Sequence, residues 1–126
     1  MTTRVELFLE ARGLPKLDVS SQTDAFAIVY AKPVGPTGMP SATWVEVGRT
    51  SVQYDTATPR WATQFVVDYA FETVQPLRIV LWDFDSLKSH DYIGACECRP
   101  RIGIDVPAVS ALRCPPPPSQ VSWRRL

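Results

Sequence analysis

Six short segments of this chain read as β-strands, and nothing between them reads as a helix longer than a few residues. RVELFLEA (4–11) sets Val5, Leu7 and Leu9 on one face, the two-residue period of a strand with one buried side. FAIVYAK (26–32) is nearly all apolar, and LRIVLWD (77–83) reads as a buried strand. WVEVGRTSV (44–52) alternates and carries β-branched residues; TQFVVDYAF (63–71) and YIGACEC (92–98) continue the theme. The connections PVGPTGMP (33–40) and YDTATPRW (54–61) are turn-rich and cannot continue a ladder. Strands at this spacing predict an all-β fold, an antiparallel sandwich.

The 126 residues suit one domain with a modest core, and 45% hydrophobic against 21% charged residues is a globular balance. Lysine plus arginine and aspartate plus glutamate each number 13. With no basic field to draw it in, nucleic acid is not an expected partner, and any electrostatic function must be local. The N-terminal MTTRVELFLEARG has acidic residues inside its apolar stretch and no hydrophobic region of signal-peptide type. No run approaches the roughly 20 apolar residues of a membrane span. Three cysteines form no even framework. Cys96 and Cys98 share a strand face about 7 Å apart, too far for good disulfide geometry. Zinc is a sharper reading of that pair, but Cys114 and the single histidine, His90, space poorly for a zinc site. Free thiols in a reducing, cytoplasmic setting are expected.

From Pro100 onward the character changes: six prolines fall in 27 residues, including Pro115 to Pro118. The division expected is therefore a folded domain over 1–99 and a proline-rich tail over 100–126 that contributes at most one short strand. A polyproline segment for an SH3-type partner and a plain linker both suit such a tail.

The chemistry concentrates in DFDSLKSHDYIG (83–94), where Asp83, Asp85 and Asp91 lie within nine residues directly after a strand. Asp83 and Asp85 point the same way, and Asp91 returns after five residues. KLDVSSQTDAF holds a second pair, Asp18 and Asp24, around the turn between the first two strands. Either group alone is accounted for by a solvated acidic loop. If both loops share one end of a sandwich, five carboxylates converge and cannot all ionise without counter-charge. A hard divalent cation supplies it, and calcium, which accepts about six to eight oxygens in irregular geometry, fits loop-borne ligands best. An EF-hand is excluded, because its glycine and final glutamate positions here hold Lys88 and Gly94. The Asp-Thr/Ser-Gly turn of an aspartic protease is missing, Asp55-Thr56-Ala57 and Asp85-Ser86-Leu87 being the nearest approaches. Paired carboxylates for glycoside cleavage would need an apolar wall that these loops lack.

On these residues the chain resembles a C2 domain, and most of all the first C2 domain of the copines. The resemblance runs from about Val5 to Arg99 and rests on VELFLEARGLPKLDVSSQTDAF, WVEVGRTSVQ, TPRWATQFVVDYAFE, QPLRIVLWDFD and DYIGACEC. It implies an eight-stranded β-sandwich whose loops bind Ca2+ and then phospholipid head groups, with Asp18, Asp24, Asp83, Asp85 and Asp91 as the metal ligands. Two departures concern turns: Ala25 stands where the family usually has proline, and Thr58 where it has asparagine, while Trp61 keeps the hydrophobic plug of the middle loop. A third concerns length. The family topology needs two further strands after CEC, so a sandwich lacking one or two C-terminal strands is expected, as in a fragment, a shortened isoform or a truncated gene product. Such a sheet would be marginally stable and prone to self-association.

The function implied is calcium-dependent binding to an anionic phospholipid surface, carrying a cytoplasmic protein to the plasma membrane when calcium rises. Leu87 and Lys88 at the tip of the third loop, with Lys16 and Val19 near the first, are the candidates for lipid contact, against the plainer reading of exposed loop residues. A calcium-independent protein-interaction module is the alternative. No enzyme is expected: one histidine, no paired nucleophile and base, and no glycine-rich phosphate loop leave nothing to carry catalysis. His90 is read as a solvent-exposed neighbour of the metal loop.

Overall fold

The computed structural model describes residues 3–11, 14, 23–61, 65–69, 76–86, 89–98, 109–114 and 119–125. Eight strands follow one another: β1 (Thr3–Ala11), β2 (Ala25–Ala31), β3 (Val45–Arg49), β4 (Phe65–Tyr69), β5 (Leu77–Asp83), β6 (Asp91–Cys98), β7 (Val109–Cys114) and β8 (Ser119–Arg125). They build two four-stranded sheets, ordered β4-β1-β8-β7 and β3-β2-β5-β6. Every pairing is antiparallel, and no helix occurs among the described residues. The all-β sandwich is the architecture that the alternation predicts.

The core lies between the sheets. From β1, Leu7, Leu9 and Ala11 point inward, joined by Phe65 of β4. From the facing sheet come Ala25, Ala27, Val29 and Ala31 of β2 and Leu77, Ile79 and Leu81 of β5. Three of the four inward positions of β2 are alanine, which leaves room for the leucines and for Trp61 and Phe65 opposite. β2 is buried on its other face as well, through Phe26 and Ile28. That is why its sequence reads as an unbroken apolar run rather than an alternation.

At the edge of this sheet β3 is shorter than the segment 44–52 suggested. Its pairing with β2 shifts register between Val29 and Tyr30. A Cβ added at Gly48 would come within 3.0 Å of Phe65 Cε1, so the glycine admits the ring from the facing sheet. Beyond Arg49 the backbone leaves the ladder, and Thr50 closes it: its N–H donates to the Ala27 carbonyl at 2.9 Å. Its Oγ1 in turn accepts the Ala27 N–H at 2.8 Å, a buried bond.

The expected strand shortage is corrected. Residues of the proline-rich tail supply both β7 and β8, and β8 lies between β1 and β7 in the first sheet. β8 pairs with β1 from Val5↔Arg125 to Ala11↔Ser119, and with β7 from Val109↔Arg124 to Cys114↔Ser119. The reason lies in where the prolines fall. VSALRC and SQVSWRR contain none, so every residue of both strands keeps its ladder donor, and Pro115–Pro118 occupy the connection. The strand-short sheet behind the expected marginal stability and self-association is therefore not what forms. Pro115–Pro118 lie outside the described residues, as does the polyproline reading that rests on them.

Candidate functional site

Asp83 is the last inward-facing position of β5, following Leu77, Ile79 and Leu81 along the same face. The strand thus ends by carrying a carboxylate to the rim of the core, where it is only 5% exposed. A carboxylate so buried needs hydrogen-bond partners. One is the backbone N–H of Asp24, which donates to Asp83 Oδ1 at 3.0 Å. Asp24 is tied a second time, its carbonyl accepting the Phe84 N–H at 2.8 Å. The antiparallel register of β2 and β5, ending at Ala25↔Asp83, makes these neighbours inevitable.

The connection after β3 reaches the same end. Ala25 and Gln53 exchange backbone bonds at 3.1 and 2.8 Å, and the Thr56 N–H donates to the Thr23 carbonyl at 3.0 Å. Between them Asp55 adopts a left-handed φ of 51°, a conformation that aspartate tolerates better than most residues. Its N–H donates to Asp24 Oδ1 at 2.7 Å. Thr58, where an asparagine is usual, has its N–H held by Thr56 Oγ1 at 3.1 Å. Two residues past the buried Pro59, Trp61 is buried in the core as the plug of this turn.

On the far side, a register shift between Leu81 and Trp82 brings Asp91 of β6 opposite Asp83. Asp85 follows two residues after Asp83, and its N–H donates to His90 Nδ1 at 3.0 Å. The imidazole stacks on Phe84, with centroids 5.1 Å apart and planes at 28°. It also meets Phe26 edge-on at 5.1 Å, while Tyr54 packs edge-on against Phe84 at 6.3 Å.

Asp24, Asp83, Asp85 and Asp91 therefore share one end of the sandwich, on two connections, and Asp55 of a third adjoins Asp24. Asp18 lies outside the described residues, and so do Lys16, Val19, Leu87 and Lys88. The carboxylates share the rim without closing into one shell: among the described residues no group of three or more His, Cys, Asp or Glu side chains is gathered closely enough to hold a metal ion. The donor set itself is all hard oxygen and comes from loops of different length, which suits calcium rather than zinc. Sequence reasoning missed Asp55, which adjoins Asp24. Its signal, an aspartate in the turn-rich DTATP, was legible only as a turn.

Away from the aspartates, a concavity opens on the outer face of β3-β2-β5-β6. It holds about 350 Å³ and is lined by Tyr30, Trp44, Arg78, Val80, Trp82 and Tyr92. Trp82 and Tyr92 meet edge-on at 5.6 Å, and Lys32 Nζ lies 4.8 Å from the Trp44 ring centre.

Two four-stranded antiparallel sheets with acidic connections gathered at one end define the sandwich of a C2 domain. A profile of the C2 domain family matches residues 4–105, and the chain belongs to that family. It is 34% identical over 113 residues to nicotinic receptor-associated protein 1 of Caenorhabditis elegans, a match that covers 76% of this chain and 18% of the relative. To protein BONZAI 1 of Arabidopsis thaliana it is 36% identical over 84 residues, covering 67% of this chain and 14% of the relative. The chain thus spans less than a fifth of the length of these curated relatives. Among solved structures, the calcium-bound pair of C2 domains of extended-synaptotagmin 2 shares the fold at a TM-score of 0.63 and 17% identity, over 98% of this chain and 45% of that one.

Proposed function

We propose that this chain is a calcium-dependent phospholipid-binding C2 domain of copine type, a binding module and not an enzyme, that brings a cytoplasmic protein to the plasma membrane when calcium rises. The observation that carries the reading is the rim itself: four aspartates on one end, with Asp83 buried beside Asp24 and opposite Asp91. The copine assignment rests on the motifs WVEVGRT and FVVDYAFE, and the calcium assignment is supported by the likeness to a calcium-bound C2 structure. Asp18, Asp24, Asp83, Asp85 and Asp91 would hold the ion. Without it, five like charges repel an anionic surface. Bound calcium would supply the positive charge that reverses the sign of the rim and open coordination positions for lipid phosphate oxygens. Asp24 and Asp83 keep their loops in register through the backbone bonds they accept, so the rim is built before lipid arrives. Lys16, Val19, Leu87 and Lys88 are proposed to meet the lipid, lysine at phosphate and the apolar tips in the interface.

Sedimentation with phosphatidylserine-containing vesicles tests this. The chain should pellet with calcium and stay in the supernatant with chelator. Pelleting that ignores calcium, or no pelleting at all, would overturn the reading. The outer-face concavity favours a second reading, a calcium-independent protein-interaction module, which predicts the latter outcome.

A further inference from the structure

His90 stands beside two aspartates, where a histidine invites the role of an additional metal ligand. Its geometry assigns it elsewhere. Nδ1 is occupied by the Asp85 N–H at 3.0 Å, which requires a lone pair on Nδ1 and puts the ring proton on Nε2. The ring is fixed from two sides, stacked on Phe84 and edge-on to Phe26. Phe26 belongs to β2, whose neighbour Ala25 pairs with Asp83. Phe84 is itself held by its N–H to the Asp24 carbonyl at 2.8 Å. The imidazole thus bridges the two sides of the β5–β6 connection at its neck, with both footings on backbone that the sheet already orders.

We infer that His90 is a positioning residue that sets where Asp85 stands relative to the opposed pair Asp83 and Asp91. The residue after His90 is Asp91, and the residue it grips is Asp85, so one side chain fixes the spacing of two carboxylates separated by five residues. A free connection of that length would sample many separations, and ordering it on ion binding would cost conformational entropy. The latch lowers that cost in advance, which is preorganisation in the usual sense. Its consequence for calcium affinity rests on the calcium reading; its consequence for the ion-free chain does not.

Two variants of the full chain separate the acceptor from the ring. His90→Phe keeps a ring between Phe26 and Phe84 and removes the acceptor. His90→Asn offers an oxygen at the position of Nδ1 and removes the ring. In the ion-free protein, amide exchange at Asp85 followed by NMR should accelerate at least tenfold in His90→Phe and stay near the parent rate in His90→Asn. Calcium titration should show a dissociation constant weakened about tenfold in His90→Phe, with most of the affinity recovered in His90→Asn. Equal Asp85 exchange in parent and His90→Phe overturns the latch. Accelerated exchange with unchanged calcium affinity overturns its role in the site. If exchange behaves as expected but the parent binds no calcium, the latch stands and the calcium reading falls.

Discussion

Asp83 serves two ends at once, and a pair of substitutions tells them apart. In the folded chain its Oδ1 accepts the Asp24 N–H at 3.0 Å, and the residue is 5% exposed. Asp83→Asn retains an oxygen in that place. It exchanges a charge-assisted bond for a neutral one while relieving repulsion from Asp24 and Asp91. The two effects oppose each other at about 1 kcal/mol each, so ion-free stability should hardly change. Asp83→Ala removes the acceptor and strands the Asp24 amide at a part-buried position, a loss of roughly 1–3 kcal/mol. For a domain of this size that is a fall in Tm of about 5–10 °C. Calcium separates the variants from the parent. At a concentration about 100 times Kd, an ion that binds only the folded state adds about 2.7 kcal/mol, a rise of roughly 10 °C in the parent. Both variants should lose most of that rise, and Asp83→Asn should lose it from a parent-like starting point. Thermal unfolding of the three chains by circular dichroism, with and without calcium, reads each of these shifts. An Asp83→Asn chain that gains as much from calcium as the parent would refute the assignment of this carboxylate.

Two further predictions concern the frame behind the rim. Thr50→Val keeps the shape of a buried side chain but leaves the Ala27 N–H without Oγ1, so urea denaturation should show a loss of about 1–3 kcal/mol, and Thr50→Ser should recover most of it. Gly48→Ala would set a methyl 3.0 Å from the buried Phe65 ring. The strain should cost about 1–3 kcal/mol despite the gain of about 0.5 kcal/mol from replacing glycine in a strand. Phe65→Leu should cost less in the Gly48→Ala background than alone, a coupling that a double-mutant cycle measures.

How much of this was legible in the sequence depended on how each element is buried. β2 and β5 announced themselves because the centre of their sheet is covered on both faces, so Phe26, Ile28 and Val80 are apolar alongside the inward Ala27, Val29 and Ile79. β1 was legible by alternation, with Leu7 and Leu9 facing the core as expected. The tail was misread because four consecutive prolines dominate its composition, whereas strand formation depends on the proline-free stretches to either side. Of the site, the aspartates could be found because charge packed against a strand end is a one-dimensional signal. The parts played by Asp55 and His90 could not. Both act through backbone amides, Asp55 by donating its own and His90 by accepting another's, and neither bond leaves a trace in residue type.

The strand order also dictates a sequence of events in time. The sheet that carries the aspartate rim, β3-β2-β5-β6, draws all its strands from Ala25–Cys98. The other sheet places β8 against β1, so that Val5 pairs with Arg125 across nearly the whole chain. Contacts of such separation carry the largest loop-closure entropy and form late. On a ribosome, the rim sheet has everything it requires while β1, with β4 already available on one side, still waits for β8 on the other. Its exposed edge must be kept from other chains for as long as residues 119–125 are unmade. Pulse-labelled hydrogen exchange during refolding should accordingly protect the amides of β2 and β5 before those of β1 and β8, and simultaneous protection of all four would contradict this order.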